Sequence, residues 1–312
     1  MGTRSDIVRI TSGELNKKMM RGAPFVLIDT LPDDHFQRVH IPGAKNACIF
    51  EVVFLENVEK NVSGKADVVI VYGSSVKSMD ALIAGEKLIR AGYRNVYVLE
   101  GGLVSWREND YPLEGTHADV SATLDEGVRI ENGIFHANIE ESVIEWTGRN
   151  PNKKHYGLLP LKKGEMTAGD KGIGGSFEID MGGLKNIDLS GDELEPVLLS
   201  HLLSDDFFFV KMFPKVIFNI KSMTPIDPSS MSAPNYEVTG DLELRGNINE
   251  ITFPATVTRI PEGGMKIEAH FDIDRTRWKV IYGSARFFEH LGGHLVFDLI
   301  SIQLWLVLTK SL

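Results

Sequence analysis

Two hydrophobic periodicities divide the chain near residue 115. Ahead of it, short continuous apolar runs alternate with stretches of helical spacing; beyond it, long segments alternate apolar and polar residues one by one. Phe25-Val26-Leu27-Ile28 and Val68-Val69-Ile70-Val71-Tyr72 read as strands buried on both faces, and Asn95 to Leu99 as a third. Helices are predicted over about Gly13 to Met20, capped by Ser12, and over about Met79 to Ala91. Strands alternating with helices indicate an α/β unit with a parallel sheet, whose functional loops lie at the carboxyl ends of the strands.

From Glu114 to Glu126 the periodicity is lost. This divides the chain into an α/β domain over residues 1–115, a linker over 116–127 and a second domain over 128–312. In the second, strands are predicted at Ser142 to Gly148, Tyr156 to Thr167, Gly174 to Met181, Lys215 to Met223, Tyr236 to Gly246, Ile251 to Arg259, Met265 to Asp274 and Leu295 to Thr309. These eight runs indicate an all-β antiparallel barrel with one helix inserted, over about Glu193 to Leu203. Phe207-Phe208-Phe209 follow the helix and either plug a barrel end or pack as ordinary core.

In the seventh run Met265, Ile267, Ala269, Phe271 and Ile273 face one way, and the pattern then breaks into Asp274-Arg275-Thr276-Arg277-Trp278 and Tyr282-Gly283-Ser284. Such a polar and aromatic cluster suits the rim of a cavity. The expected lining is Trp146, Phe177, Ile179, Phe218, Tyr236, Phe253, Ala255, Ala269 and Phe271, with His155, His201, Arg275, Trp278 and Tyr282 gathered at one end. Two readings of the interior remain open. The aromatic rings meet and fill it, or small residues at Gly175, Gly240, Ala255 and Ala269 leave a tunnel roughly 30 Å long. Arg275 either forks two hydrogen bonds to a ligand's acid group or pairs with Asp274.

A net charge of −10 argues against a nucleic-acid partner. The single cysteine, Cys48, excludes an intrachain disulfide and a multi-cysteine zinc site, and its neighbours Ala47, Ile49 and Phe50 suit a small buried hydrophobe. His35 and His40 beside a turn read as structural. No metal or cofactor is expected. Met1 to Asp6 carry no apolar segment of secretory type, so a cytoplasmic location is expected.

Asp29, Phe36, His40-Ile41-Pro42-Gly43-Ala44, the strand ending at Tyr72, Gly92-Tyr93, Asn95-Val96-Tyr97, Gly101-Gly102-Leu103 and Trp106 resemble a rhodanese domain over about residues 8 to 113. Active members of that family carry a cysteine at the start of the loop after the second strand, where backbone amides cradle the persulfide. Here that position is Gly73, or Ser75 when counted back from the helix, and Leu31 stands where arginine is frequent. A thiolate is needed for persulfide transfer, so the resemblance implies an inactive module with a degenerate loop, Gly73, Ser74, Ser75, Val76, Lys77 and Ser78. This loop either binds sulfate or phosphate or is an ordinary solvated cap.

Trp146-Thr147-Gly148, His155 with Gly157, Gly175-Ser176-Phe177, Ile179-Asp180-Met181, His201-Leu202 with Ser204-Asp205-Asp206-Phe207-Phe208, Val238-Thr239-Gly240-Asp241-Leu242, Phe253-Pro254-Ala255 and Asp274-Arg275-Thr276 with Trp278 and Tyr282-Gly283-Ser284 resemble the YceI-like family of lipocalin-like barrels. The resemblance implies a bacterial lipid-binding protein whose tunnel takes a polyisoprenoid, a fatty-acid-like chain or a similar amphiphile, and which can pair as a homodimer. The combined expectation is a carrier rather than an enzyme, with the rhodanese-like module docking a protein partner. A sulfurtransferase with an unrecognised nucleophile and a purely structural scaffold are the alternatives.

Overall fold

The computed structural model describes residues 7–117, 129–227, 232–260 and 263–311, which separate into two compact units, 1–122 and 123–312. The linker expected over 116–127 lies, from residue 118 on, outside the described residues.

The first unit has strands β1 (Val8–Ile10), β2 (Val26–Asp29), β3 (Lys45–Asn46), β4 (Val68–Tyr72) and β5 (Asn95–Leu99). They form one parallel sheet in the order β1-β5-β4-β2-β3. Helices α1 (Ser12–Met20), α2 (Asp33–Arg38), α3 (Phe54–Glu59) and α4 (Asp80–Arg90) connect the strands, and α5 (Gly102–Glu108) follows β5. Val69, Ile70 and Val71 are fully buried, as a strand between two neighbours and two layers requires. The cap of α1 is Thr11 rather than Ser12: its hydroxyl accepts from the Glu14 N–H at 3.3 Å, and Glu14 accepts from the Thr11 N–H at 2.9 Å. That is the reciprocal box which a threonine three residues before a glutamate makes possible.

The second unit contains β6 (Gly133–Ala137), β7 (Val143–Arg149), β8 (Lys154–Leu158), β9 (Leu161–Gly169), β10 (Gly172–Asp180), β11 (Lys185–Asn186), α6 (Glu195–Leu203), β12 (Lys215–Pro225), β13 (Tyr236–Leu244), β14 (Asn247–Arg259), β15 (Met265–Asp274) and β16 (Leu299–Lys310). An eight-stranded antiparallel barrel closes through β16-β15-β14-β13-β12-β10-β9-β6 and back to β16. β7 lies along the same edge of β16 as β6, at Ser301 to Trp305, and carries β8 and β11 beyond it.

The run expected at Tyr156 to Thr167 is two strands, broken at Leu159-Pro160, where Pro160 has no N–H for the ladder. The closing strand β6 was not legible as a strand. It is only five residues long, and of these only Phe135 is fully buried. β14 begins four residues earlier than expected, at Asn247, and β16 four residues later, at Leu299. Among the described residues no helix is long and apolar enough to cross a membrane.

Candidate functional site

The barrel encloses a cavity of about 400 Å³, a size typical of small-molecule sites. Trp146, Phe177, Ile179, Phe218, Phe253 and Phe271 border it, with Ile267, Ile302, Leu304 and Leu306. These side chains come from alternate positions of their strands, so the period of two seen in the sequence is the wall of the cavity. Phe253 and Phe271 stack with ring centroids 4.0 Å apart, and the Phe218 ring lies 5.7 Å from Phe253.

Tyr236, Ala255 and Ala269, by contrast, are 3%, 1% and 1% exposed and do not border the cavity. Phe135, Met166, Val257, Met265 and Leu308 are likewise buried without facing it. They fill the end of the barrel where β6 meets β16. The interior is thus neither a solid core nor a through tunnel. One end is packed with side chains, and the cavity occupies the other. Gly240 opens no void either, because a Cβ there would lie 2.6 Å from the Phe218 ring, which occupies that space.

Polar groups collect at the open end. Apart from the Trp146 indole, which donates to the Lys185 carbonyl at 3.1 Å, the polar residues of the lining are Arg149, Asn150, His155, His201, Arg275, Tyr282 and His294. All come from the β7–β8 hairpin, α6, or the connection between β15 and β16. His155 pairs through Nδ1 with Asp188 at 2.8 Å, and His201 through Nε2 with Asp206 at 3.2 Å. The His201 ring stands edge-on to Tyr282 at 4.6 Å and to Phe207 at 4.9 Å. The Tyr282 hydroxyl and the exposed His294 ring have no hydrogen-bond partner among the described residues, which leaves both available to a ligand's polar end.

Arg275 borders the cavity but does not offer it a fork. It is 1% exposed, and its guanidinium donates to the carbonyls of Val280 (2.5 Å), Val296 (3.1 Å) and Phe297 (3.1 Å), with Asp298 at 3.6 Å. Asp274 pairs instead with Arg286 at 2.6 Å. Arg275 therefore ties the β15–β16 connection to itself. Trp278 is fully buried, lies off the lining and donates to the Leu242 carbonyl at 2.8 Å. Both side chains looked like rim groups because a sequence shows polarity and not which carbonyls a turn brings within reach. Arg149, Asn150 and His294 escaped the sequence reading, since strand ends and loops carry no periodicity. Of the three phenylalanines after α6, Phe207 and Phe208 border the cavity.

In the first unit the loop after β4 is occupied by the protein's own anion. Asp80, 4% exposed, accepts from the Ser74 N–H at 3.1 Å and from the Ala81 N–H at 2.7 Å. The Gly73 and Ser74 carbonyls accept from the Leu103 and Val104 N–H groups at 2.9 and 3.0 Å. The Ser75 hydroxyl accepts from Lys77 N–H, Ser78 Oγ from Asp80 N–H, and Val76 faces water. The Asp80 carboxyl thus takes amides that an external sulfate or phosphate would use beside Gly73. Cys48 is buried and unpaired, and His40 bonds through Nδ1 to the Phe36 carbonyl at 2.7 Å. Among the described residues no group of His, Cys, Asp and Glu is arranged to hold a metal.

The YceI-like domain family matches residues 114–308, and the rhodanese-like domain family residues 11–109. A curated relative, rhodanese-like domain-containing protein 14, chloroplastic, of Arabidopsis thaliana, is 21% identical over 33% of this chain; the match spans 63% of that protein. BcnA of Burkholderia cenocepacia is similar in structure with a TM-score of 0.43 and 18% identity, over 55% of this chain and 98% of that one. A polyisoprenoid binding domain from Saccharophagus degradans gives 0.42 and 11%, over 58% and 100%. The BH2092 protein of Bacillus halodurans gives 0.34 and 23%, over 38% and 87%. Since the YceI-like match takes in more than half of the residues and coincides with the closed barrel, the chain belongs to the YceI-like family and carries a rhodanese-like domain ahead of its barrel.

Proposed function

We propose that the protein binds or carries an amphiphilic lipid with one aliphatic or isoprenoid tail, held in the barrel cavity with its polar end beside Tyr282, His201 and His294. The observation that carries this is the division of the lining: aromatic and aliphatic over its depth, polar only at one end. Burying a tail there removes apolar surface from water at about 25 cal/mol per Å². A dry cavity of about 150 Å³ accepts a six-carbon benzene, so 400 Å³ scales to roughly sixteen carbons. A short prenyl or fatty chain fits that volume.

The rhodanese-like domain is proposed to be inactive in sulfur transfer and to serve as a docking module, the whole acting in the cytoplasm. Support for inactivity is the absence of a thiol from Gly73 to Ser78 and the seating of Asp80 within that loop. Mass spectrometry of organic extracts from purified protein tests the main reading. An apolar chain of the stated size, recovered in near-stoichiometric amount, is expected, and protein that neither carries nor takes up such chains overturns it.

A further inference from the structure

Two segments bank the cavity mouth. The β15–β16 connection contributes Tyr282, His294, Leu295, Val296 and Phe297, and α6 contributes Leu198, His201 and Leu202. The His201–Tyr282 contact joins them. On the outside of these same segments, apolar side chains face water: Leu194 and Val197 at α6, and Phe287, Phe288 and Phe297 on the connection, between 44% and 63% exposed. Every exposed phenylalanine among the described residues of the barrel unit lies on this one connection. Phe297 borders the cavity while 44% exposed, so the apolar wall continues onto the outer surface. Leu295 borders both the cavity and an adjoining hollow lined by Phe288. Clustered aromatic exposure of this kind marks a surface covered in use, and phenylalanine and leucine side chains settle at the headgroup boundary of a bilayer.

We propose that this rim docks on a lipid bilayer, so that a tail passes between membrane and cavity without crossing water. The proposal rests on the lipid reading of the cavity. Charge selects the kind of bilayer. Between residues 192 and 206 the chain carries Asp192, Glu193, Glu195, Asp205 and Asp206 and no lysine or arginine. On the other bank Arg275 is buried on backbone carbonyls and Arg286 is committed to Asp274 and Asp298, while Arg277 and Lys279 are exposed. Acidic residues outnumber basic ones over the two banks together, so this face has no net electrostatic attraction to anionic headgroups, and its docking is apolar and independent of salt.

The test is cosedimentation of the full chain with phosphatidylcholine vesicles at low and high salt, with and without phosphatidylserine. Binding is expected in all four conditions. Phe287→Ser with Phe288→Ser should weaken it on the order of tenfold or more, while Trp305→Ser, an exposed ring on the barrel's outer wall, leaves it unchanged. Neither variant should alter uptake of parinaric acid, a fluorescent fatty acid, from vesicle-free solution. Wild-type protein that stays in the supernatant overturns the docking, as does binding that survives in the double variant, falls equally in Trp305→Ser, or needs phosphatidylserine at low salt. Failure of the cavity reading is distinct: the wild type then takes up no parinaric acid, whatever the vesicles show.

Discussion

A Cβ placed on Gly73 would lie 1.8 Å from Oδ1 of Asp80 and 2.1 Å from its Cγ. The two residues are fitted to each other: only glycine at 73 lets the carboxylate sit inside the loop and take the Ser74 and Ala81 N–H groups. A side chain at 73 must expel Asp80. Gly73→Cys is therefore expected to yield no thiocyanate from thiosulfate and cyanide above the enzyme-free rate. It should also lower stability by about 1–3 kcal/mol in chemical denaturation. Comparison with Gly73→Cys combined with Asp80→Gly separates a missing sulfur from a filled loop, and turnover by the single variant would show that the loop was never closed.

Filling the cavity should remove the ligand and spare the fold. Ile302 borders it and pairs across the strands with Trp146 and Phe271. Ile302→Trp is expected to stay folded and to lose most of the extractable lipid by mass spectrometry. Ala255→Leu acts differently, because this position is buried at the packed end, opposite Tyr236 and away from the cavity. Overpacking there should cost about 1–3 kcal/mol and leave ligand retention per folded molecule unchanged.

Arg275 is expected to behave as a structural residue. Arg275→Met leaves the carbonyls of Val280, Val296 and Phe297 without their donor and removes the cation beside Asp298, which keeps only Arg286. A loss of about 3–5 kcal/mol follows from breaking a buried charge and its hydrogen bonds. Near-normal stability with lost ligand affinity would assign it to the ligand instead.

Acid should loosen the mouth before the packed end. Burial pushes the Asp188 carboxyl up, but hydrogen bonds from the Tyr156 N–H, His155 and Asn186 outweigh it and hold it below its ordinary value. Burial acts likewise on Asp274, outweighed by the Thr276 hydroxyl and N–H and by Arg286. A carboxyl depressed in the folded state binds more protons when unfolded. Its stabilisation is present above the ordinary value near pH 4 and disappears as pH falls through the folded one. The thermal midpoint should decline below about pH 4, and Asp188→Asn with Asp274→Asn should flatten that decline while lowering the midpoint at neutral pH.

Much of this architecture was legible in the residues. Continuous apolar runs such as Val68 to Tyr72 announced a sheet covered on both faces, and alternation in Tyr236 to Leu244 announced a wall with one dry side. Element ends and loops gave no comparable signal, so Asp80, Arg149, Asn150 and His294 were found only once the chain was folded.

The sequence by itself determined the two-part division, the parallel sheet, every barrel stave but β6 and which side chains of those staves turn inward, because period and composition act locally. Only the tertiary structure decided how deep the inward faces leave a void. Ala255 and Ala269 are as small as a tunnel requires, yet neither borders the void, while Phe253 and Phe271 stack flat and border it. Tertiary structure likewise decided that Arg275 serves three carbonyls rather than a ligand. Void and partner depend on which distant strands and turns converge on one point, and close packing sets that globally.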